Sequence, residues 1–323
     1  MRLSSTLLGV AAVLGAAEAQ LRGFNYGANF LNNQAKVQAD FEYEFNKAKS
    51  LPGTSGWTSA RLYTTIQHGT TKDPISAIPA AINTKTKLLL GLWASGTTAA
   101  AGQANINNEI AALKSAIAKY GTKFTDLVVG ISVGSEDLYR ITPTGIKNKA
   151  GAGAQPADLI KYVKQLRAAI KGTKLASTPV GHVDTWTVYP NATNAAFISN
   201  LDFLGVDAYP YFQTTMANSI GHANATFYDA YNQVKNVKAA KGKAIWITET
   251  GWPVSGPKQN QAVASAANAR IYWQDVACSL LAKKVNLFWY DLQEAQYGNP
   301  SPDFGIFGAG DLGTLKPRYS LSC

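Results

Sequence analysis

Eight short apolar runs, separated by stretches of helical periodicity, limit what this chain can fold into. They are RGFNYG at 22–27, SARLYT at 59–64, KLLLGLW at 87–93, DLVVGISVGSE at 126–136, PVGHVDTW at 179–186, LDFLGVDAYPY at 201–211, KAIWITETGW at 243–252 and KVNLFWYDLQ at 284–293. Each is rich in Val, Ile, Leu and aromatic residues and ends in polar or glycine-containing sequence, as parallel strands covered on both faces do. The intervening segments repeat apolar residues at helical spacing, with Ile106, Ile110, Leu113 and Ile117 on one face and Leu159, Val163, Leu166 and Ile170 on another. Pro156 and Gly172 bracket the second of these helices. A long alanine-rich helix is predicted from about Gln261 through Ala282, and a shorter one on Val37, Phe41 and Phe45. Eight strands alternating with helices in a chain of 323 residues predict an α/β fold, a closed (β/α)8 barrel in a single domain. An open doubly wound sheet is the rival. It lacks support, because no G-x-G-x-x-G follows the first run and no G-x-x-x-x-G-K-[ST] occurs. The Gly/Pro-rich stretch from Gly298 to Pro317 is expected to be a long loop leading to the tail.

The N-terminus sets the expected compartment. Arg2 precedes an apolar run too short to span a bilayer, and Ala17-Glu18-Ala19 has the small-x-small form of a cleavage site. Residues 1–19 are therefore read as a secretory signal peptide and residues 20–323 as the barrel. Secretion fits two N-glycosylation sequons, at Asn191 and Asn224, each of which needs an exposed loop. It also fits Cys278 and Cys323, expected to pair and fasten the last residue to a helix, with two unpaired thiols as the alternative. Net charge is +10, but the lysines are dispersed over helix-like stretches such as KYVKQLRAAIKGTK, a solvated face rather than a nucleic-acid site. Zinc-ligand spacings are absent and LSC at the C-terminus offers no hydrophobic tail. No metal, cofactor, nucleic acid or membrane anchor is expected, and the chain is expected to be a monomer.

In a barrel, chemistry gathers at the C-terminal ends of the strands. There the fourth run ends in Glu136 and the seventh reaches Glu249 in ITETGWP. An acid at the mouth of an apolar strand costs desolvation and is usually paired or used. Two carboxylates facing one substrate suit glycoside hydrolysis, which needs one protonated acid at the leaving oxygen and one charged carboxylate at the anomeric carbon. The structural alternatives are a Glu136–Arg140 ion pair and a helix-capping Glu249. Aromatic residues crowd the same strand ends: Tyr26, Tyr63, Trp93, Trp186, Tyr209, Tyr211, Trp252, Trp289 and Tyr290. Sugar rings present apolar C–H faces with polar rims, so aromatic platforms suit them, although any single ring is as well explained by packing. Arg61 is expected to steady the nucleophile, with Asp207 or Glu294 as its structural alternative. Ser135, Asp207 and Glu294 complete the expected substrate-binding rim. His182 and His68 read as buried, satisfied histidines, and Ser135 lies in no G-x-S-x-G motif, against a serine esterase.

With these motifs assembled, the chain resembles glycoside hydrolase family 17, the β-1,3-glucanases, and is most similar to the fungal cell-wall branch that includes β-1,3-glucanosyltransferases. The likeness runs from RGFNYG through ARLYT, ISVGSEDLYR, GHVDTW and DFLGVDAYPY to TETGWP. It implies a retaining mechanism with Glu136 of VGSE as acid/base and Glu249 of TETGWP as nucleophile. It further implies an extracellular, cell-wall enzyme whose donor and acceptor are β-1,3-glucan and laminari-oligosaccharides. Ser135 departs from the plant members, where an asparagine at that place typically reaches the substrate 2-hydroxyl. Transfer to a second glucan is preferred on the branch resemblance. Hydrolysis as an endo-β-1,3-glucanase is the close alternative, and a non-catalytic glucan-binding barrel is the rival from another class.

Overall fold

Strands form where β-branched and aromatic residues run between glycine-containing ends. A computed structural model describes residues 19–54, 56–294, 298 and 300–323. In it the strands are β1 (Arg22–Tyr26), β2 (Ser59–Leu62), β3 (Lys87–Leu92), β4 (Val128–Ser135), β5 (Val180–Thr185), β6 (Phe203–Asp207), β7 (Ala244–Glu249) and β8 (Leu287–Trp289). All pair in parallel in sequence order, and β8 closes on β1 with Gly23 opposite Phe288 and Phe24 opposite Trp289. The predicted closed (β/α)8 barrel is what the chain forms. The signal-peptide expectation falls outside the described residues except for Ala19.

Alternation along the strands sorts the side chains into two cores. Leu88, Leu90 and Leu92 of β3 pack outward into the main core shared with the helices, whereas Leu89 joins Leu21, Phe203, Trp246 and Phe288 in a second cluster. Phe203 and Trp246 stack there with centroids 4.1 Å apart. Opposite parity places this cluster inside the barrel, below the strand ends that carry the glutamates.

Helix Ala99–Tyr120 buries Ile106, Ile110 and Leu113, and Thr98 caps it by accepting the Ala101 N–H. Helix Pro156–Ile170 buries all four of its predicted apolar residues. Val37 departs from expectation. It is the exposed N-cap of helix Gln38–Ser50, and Phe41 and Phe45 alone carry the buried face. The helix predicted from Gln261 begins instead at Ala266, because Ser265 takes the N-cap and accepts from the Asn268 N–H at 3.1 Å. Its middle, Trp273–Ala277, is a π-helical turn joining Ala266–Tyr272 to Cys278–Ala282.

Cys278 and Cys323 form the expected disulfide. Trp273 Nε1 donates to Leu321 O at 2.9 Å beside it, and Arg270 Nη1 donates to Ser320 O and Ser322 O. The described part of 298–317 is a loop without helix or strand, anchored by buried Phe304, Ile306, Phe307 and Leu312. Asn191 is exposed, and its side chain accepts from the Thr193 N–H and hydroxyl. Asn224 is not on a loop. It lies on helix Ile220–Lys235 with its amide donating to Asp275 O at 3.1 Å, and Thr226 is buried, because the apolar face of that helix runs through the sequon. Among the described residues no helix is long and apolar enough to cross a membrane.

Candidate active site

A cleft of about 1660 Å³ opens over the C-terminal strand ends, and Glu136 and Glu249 both line it. Glu136 gets there through a local departure from strand geometry. The β4–β5 register shifts between Ser132 and Ser135, and Gly134 adopts φ +87°. A Cβ at Gly134 would lie 2.0 Å from Asp137 Oδ2, so the VGSE turn requires glycine there. Glu136 itself sits at φ 58°, a left-handed conformation that costs energy for a non-glycine residue and persists only when its surroundings enforce it. Strand β5 enforces it. The Glu136 N–H donates to Val183 O at 2.9 Å, and Asp184 accepts the N–H groups of Leu138 and Tyr139 at 2.9 and 3.3 Å. His182 braces the same corner, with Nδ1 2.6 Å from Val133 O and Nε2 2.9 Å from Asp184 Oδ2. It is buried and satisfied, as the sequence predicts, whereas His68 lines the cleft.

Glu249 is held differently. Its Oε1 accepts from Arg61 Nη1 and from the Tyr63 hydroxyl at 3.0 Å, and its Oε2 accepts from the Tyr209 hydroxyl at 2.7 Å. Burial, then the charge of Glu249, raises both phenols well above their ordinary range, so both keep the protons they donate. Arg61 also donates to Asn25 Oδ1 at 2.7 Å and, through Nη2, to Ser135 Oγ at 3.0 Å. The guanidinium thus spans from Glu249 at the end of β7 to the residue preceding Glu136. Neither Asp207 nor Glu294 is its hydrogen-bond partner, although the charge of Asp207 acts on the guanidinium together with that of Glu249.

The electrostatics of the two glutamates diverge. Burial, followed by repulsion from Glu249, pushes Glu136 up to about 8, against the pull of Arg140. Arg140 Nη2 stands 3.8 Å from Glu136 Oε2, so the ion-pair alternative is present in a long form that leaves the side chain 28 % exposed to the cleft. Asp207, opposite Glu249 in the β6–β7 register, is raised by burial and by Glu249, while its Oδ1 accepts from the Thr248 hydroxyl at 2.7 Å.

The cleft gathers Tyr63, Trp93, Ser135, Trp186, Asp207, Tyr209 and Tyr290 from the predicted set. It leaves out six others, of which Arg61 still reaches the site through its contact with Glu249. Tyr26 points away because its neighbour Asn25 takes the inward parity, and its ring packs edge-on against Phe45 at 5.0 Å. Trp289 is likewise the outward neighbour of Tyr290 and donates to the Tyr319 hydroxyl at 3.1 Å. Tyr211 and Trp252 pack on each other at 5.6 Å and are fully buried. Glu294 lies behind the wall, accepting from the Tyr290 hydroxyl and the Phe304 N–H. Residues that sequence reasoning missed include Asn25, Glu109, Asp184 and Phe212. Asn25 and Asp184 were visible as polar residues inside apolar runs. Glu109, buried on helix Ala99–Tyr120, accepts from the Thr65 and Trp93 N–H groups and had no such signal.

Fold and cleft together define a (β/α)8 glycoside hydrolase. The chain belongs to the BtgE/BtgC glycoside hydrolase family, whose domain matches residues 23–305. It is 55% identical over 98% of its length to a probable glucan endo-1,3-beta-glucosidase eglC of Aspergillus oryzae, covering 66% of that protein. It is 54% identical over 98% of its length to the protein of the same name from Aspergillus fumigatus, covering 68% of it. The chain thus spans about two thirds of the length of these curated relatives. Among solved structures, the glycoside hydrolase family 17 beta-1,3-glucanosyltransferase from Rhizomucor miehei matches with a TM-score of 0.73 at 25% identity, over 94% of this chain and 98% of that one.

Proposed function

We propose that this chain is a retaining glycosidase that cleaves β-1,3-glucan internally, with Glu249 as nucleophile and Glu136 as acid/base. One observation carries the reading: two glutamates share one cleft in opposite settings, one supported by a guanidinium and two phenols, the other pushed up to about 8. Glu249 attacks the anomeric carbon while Glu136 gives its proton to the departing glycosidic oxygen, breaking the C–O bond and leaving a covalent glucosyl-enzyme. Glu136, now ionised, takes a proton from the incoming hydroxyl as that oxygen displaces Glu249 from the sugar. Arg61 and Tyr63 leave Oε2 to face the substrate, with Tyr209 as the donor that must yield to it.

Hydrolysis is placed ahead of transfer, reversing the preference drawn from the sequence, because the relatives at 54 and 55% identity carry endo-glucosidase names. Transfer remains the second reading, supported by the name of the Rhizomucor miehei structure and by a cleft of about 1660 Å³. We place the enzyme outside the cell, with residues 1–19 as signal peptide and Asn191 as the better glycan acceptor. The test is a mass-spectrometric time course with laminaripentaose in ordinary and labelled water. Shorter, singly labelled products are expected. Unlabelled products longer than the substrate would make transfer the activity, and no products from wild type, with Glu249→Gln behaving identically, would sink the enzyme assignment.

A further inference from the structure

The 3-10 turn after β6 sends two adjacent aromatic rings in opposite directions. Tyr211 is fully buried and donates its hydroxyl to Pro257 O, whereas Phe212 is 44% exposed and lines the cleft. A single exposed ring is ordinary on a protein surface, but this one faces the cleft. This ring is also held in place. It packs against Tyr211 at 5.0 Å, Tyr209 at 5.9 Å and Phe304 at 6.0 Å, so the loops after β6 and β8 fix its orientation before any ligand arrives. Gln213 and Gln259 line the same stretch of the cleft, and neither side-chain amide is hydrogen-bonded within the described chain. An apolar ring with two unengaged amides beside it matches a pyranose, whose C–H face stacks and whose equatorial hydroxyls donate and accept.

We infer that Phe212, Gln213 and Gln259 form a remote glucosyl subsite, binding a β-glucan unit beyond the one that Glu249 attacks. This rests on the proposed function and names the part of the substrate that function leaves unassigned. The subsite is continuous with the reaction centre through Tyr209, which touches Phe212 on one side and hydrogen-bonds Glu249 on the other. Its occupant is a chain of the same polymer, because the cleft floor and this wall are one groove. The subsite therefore sets the chain length at which cleavage becomes efficient. It acts through binding, leaving the bond-breaking groups where they are.

The experiment is steady-state kinetics of wild type, Phe212→Ala and Phe212→Tyr on laminari-oligosaccharides from the trimer to the heptamer. Wild-type kcat/KM should climb with length, and Phe212→Ala should lose about 10-fold on the longest substrates, mostly in KM, while changing the shortest cleaved one little. Phe212→Tyr, which keeps the ring, should restore the length dependence. An equal loss at every length would assign Phe212 to the packing of Tyr209 and overturn the subsite, as would no loss at any length. Either result leaves the proposed function standing, provided wild type cleaves. Failure of wild type to cleave any laminari-oligosaccharide would overturn both.

Discussion

At the residue scale, Arg61 is the side chain through which the two glutamate-bearing strand ends meet. Its fork reaches Glu249, Asn25 and Ser135 at once, which the single ammonium of lysine cannot reproduce. Arg61→Lys keeps the charge but releases at least one of those contacts, and kcat should fall on the order of 100-fold with a smaller change in KM, because misplacement of the proposed nucleophile, Glu249, is felt mainly in the transition state. Glu136, as the proposed acid, is expected to carry the pH dependence. An acid that must donate a proton is lost as pH rises through its own value, so kcat/KM should decline on the alkaline side around pH 8. Repulsion from Glu249 contributes to that high value, so in Glu249→Gln the titration of Glu136, followed by carbon NMR, should move downward toward the ordinary carboxylate range. An unchanged midpoint would remove Glu249 as a cause. Both glutamates were legible in the sequence because charged residues ending apolar runs stand out. Which neighbouring aromatic faces the cleft was not legible. Tyr26 and Asn25, or Tyr211 and Phe212, differ only in the parity and turn geometry that the folded barrel imposes.

At the scale of elements, the end of β4 is the part most tightly specified. Gly134 at φ +87° lies too close to Asp137 to admit a methyl group, so Gly134→Ala should destabilise by about 1–3 kcal/mol and also lower activity by displacing Glu136. Thermal unfolding and kcat measured on the same preparation check this, and retained activity with lost stability would uncouple the turn from the site. The C-terminal tail makes the opposite point. It has no secondary structure, yet the disulfide, Trp273 and Arg270 tie it to the segment 266–282. The bond closes a loop with sequence separation 45, and replacing Cys278 and Cys323 together by alanine should cost about 2–4 kcal/mol of stability, read from denaturant midpoints under oxidising conditions. The sequence shows all eight strands because apolar runs bounded by glycine have few other readings. It misjudges the start of the 266–282 segment because alanine-rich sequence upstream of Ser265 carries helix propensity without the packing that would use it, and the π-helical turn at Trp273–Ala277 leaves no compositional trace.

At the scale of the whole molecule, several buried carboxyls hold their protons more tightly in the fold than in the unfolded chain, and the consequence is a stability that depends on pH. Glu44, Glu109, Glu136, Asp137 and Asp207 are all raised above their ordinary values, with burial the largest cause in each. His182 is raised as well: burial alone would lower it, and its bond to Asp184 together with the charges of Asp184 and Asp137 outweighs that. In every one of these groups the folded chain binds its proton more tightly than the unfolded chain. The stabilisation is therefore fully present below the unfolded values, 3.8 to 4.5 for the carboxyls and 6.5 for the histidine, and is lost as pH rises through the folded values. Among the described groups with a resolved shift, Glu42 and Lys49 move the other way, Glu42 through hydrogen bonds from Gln38 and Asn83 at the surface and Lys49 through burial. Calorimetry at constant ionic strength should accordingly give a Tm several degrees higher at pH 5 than at pH 8.5. Substituting Asp207→Asn should flatten that slope, because a neutral amide replaces one of the carboxyls whose proton the fold retains. A Tm that rises from pH 5 to pH 8.5 would mean that the protons retained by these buried carboxyls do not set the pH dependence of stability.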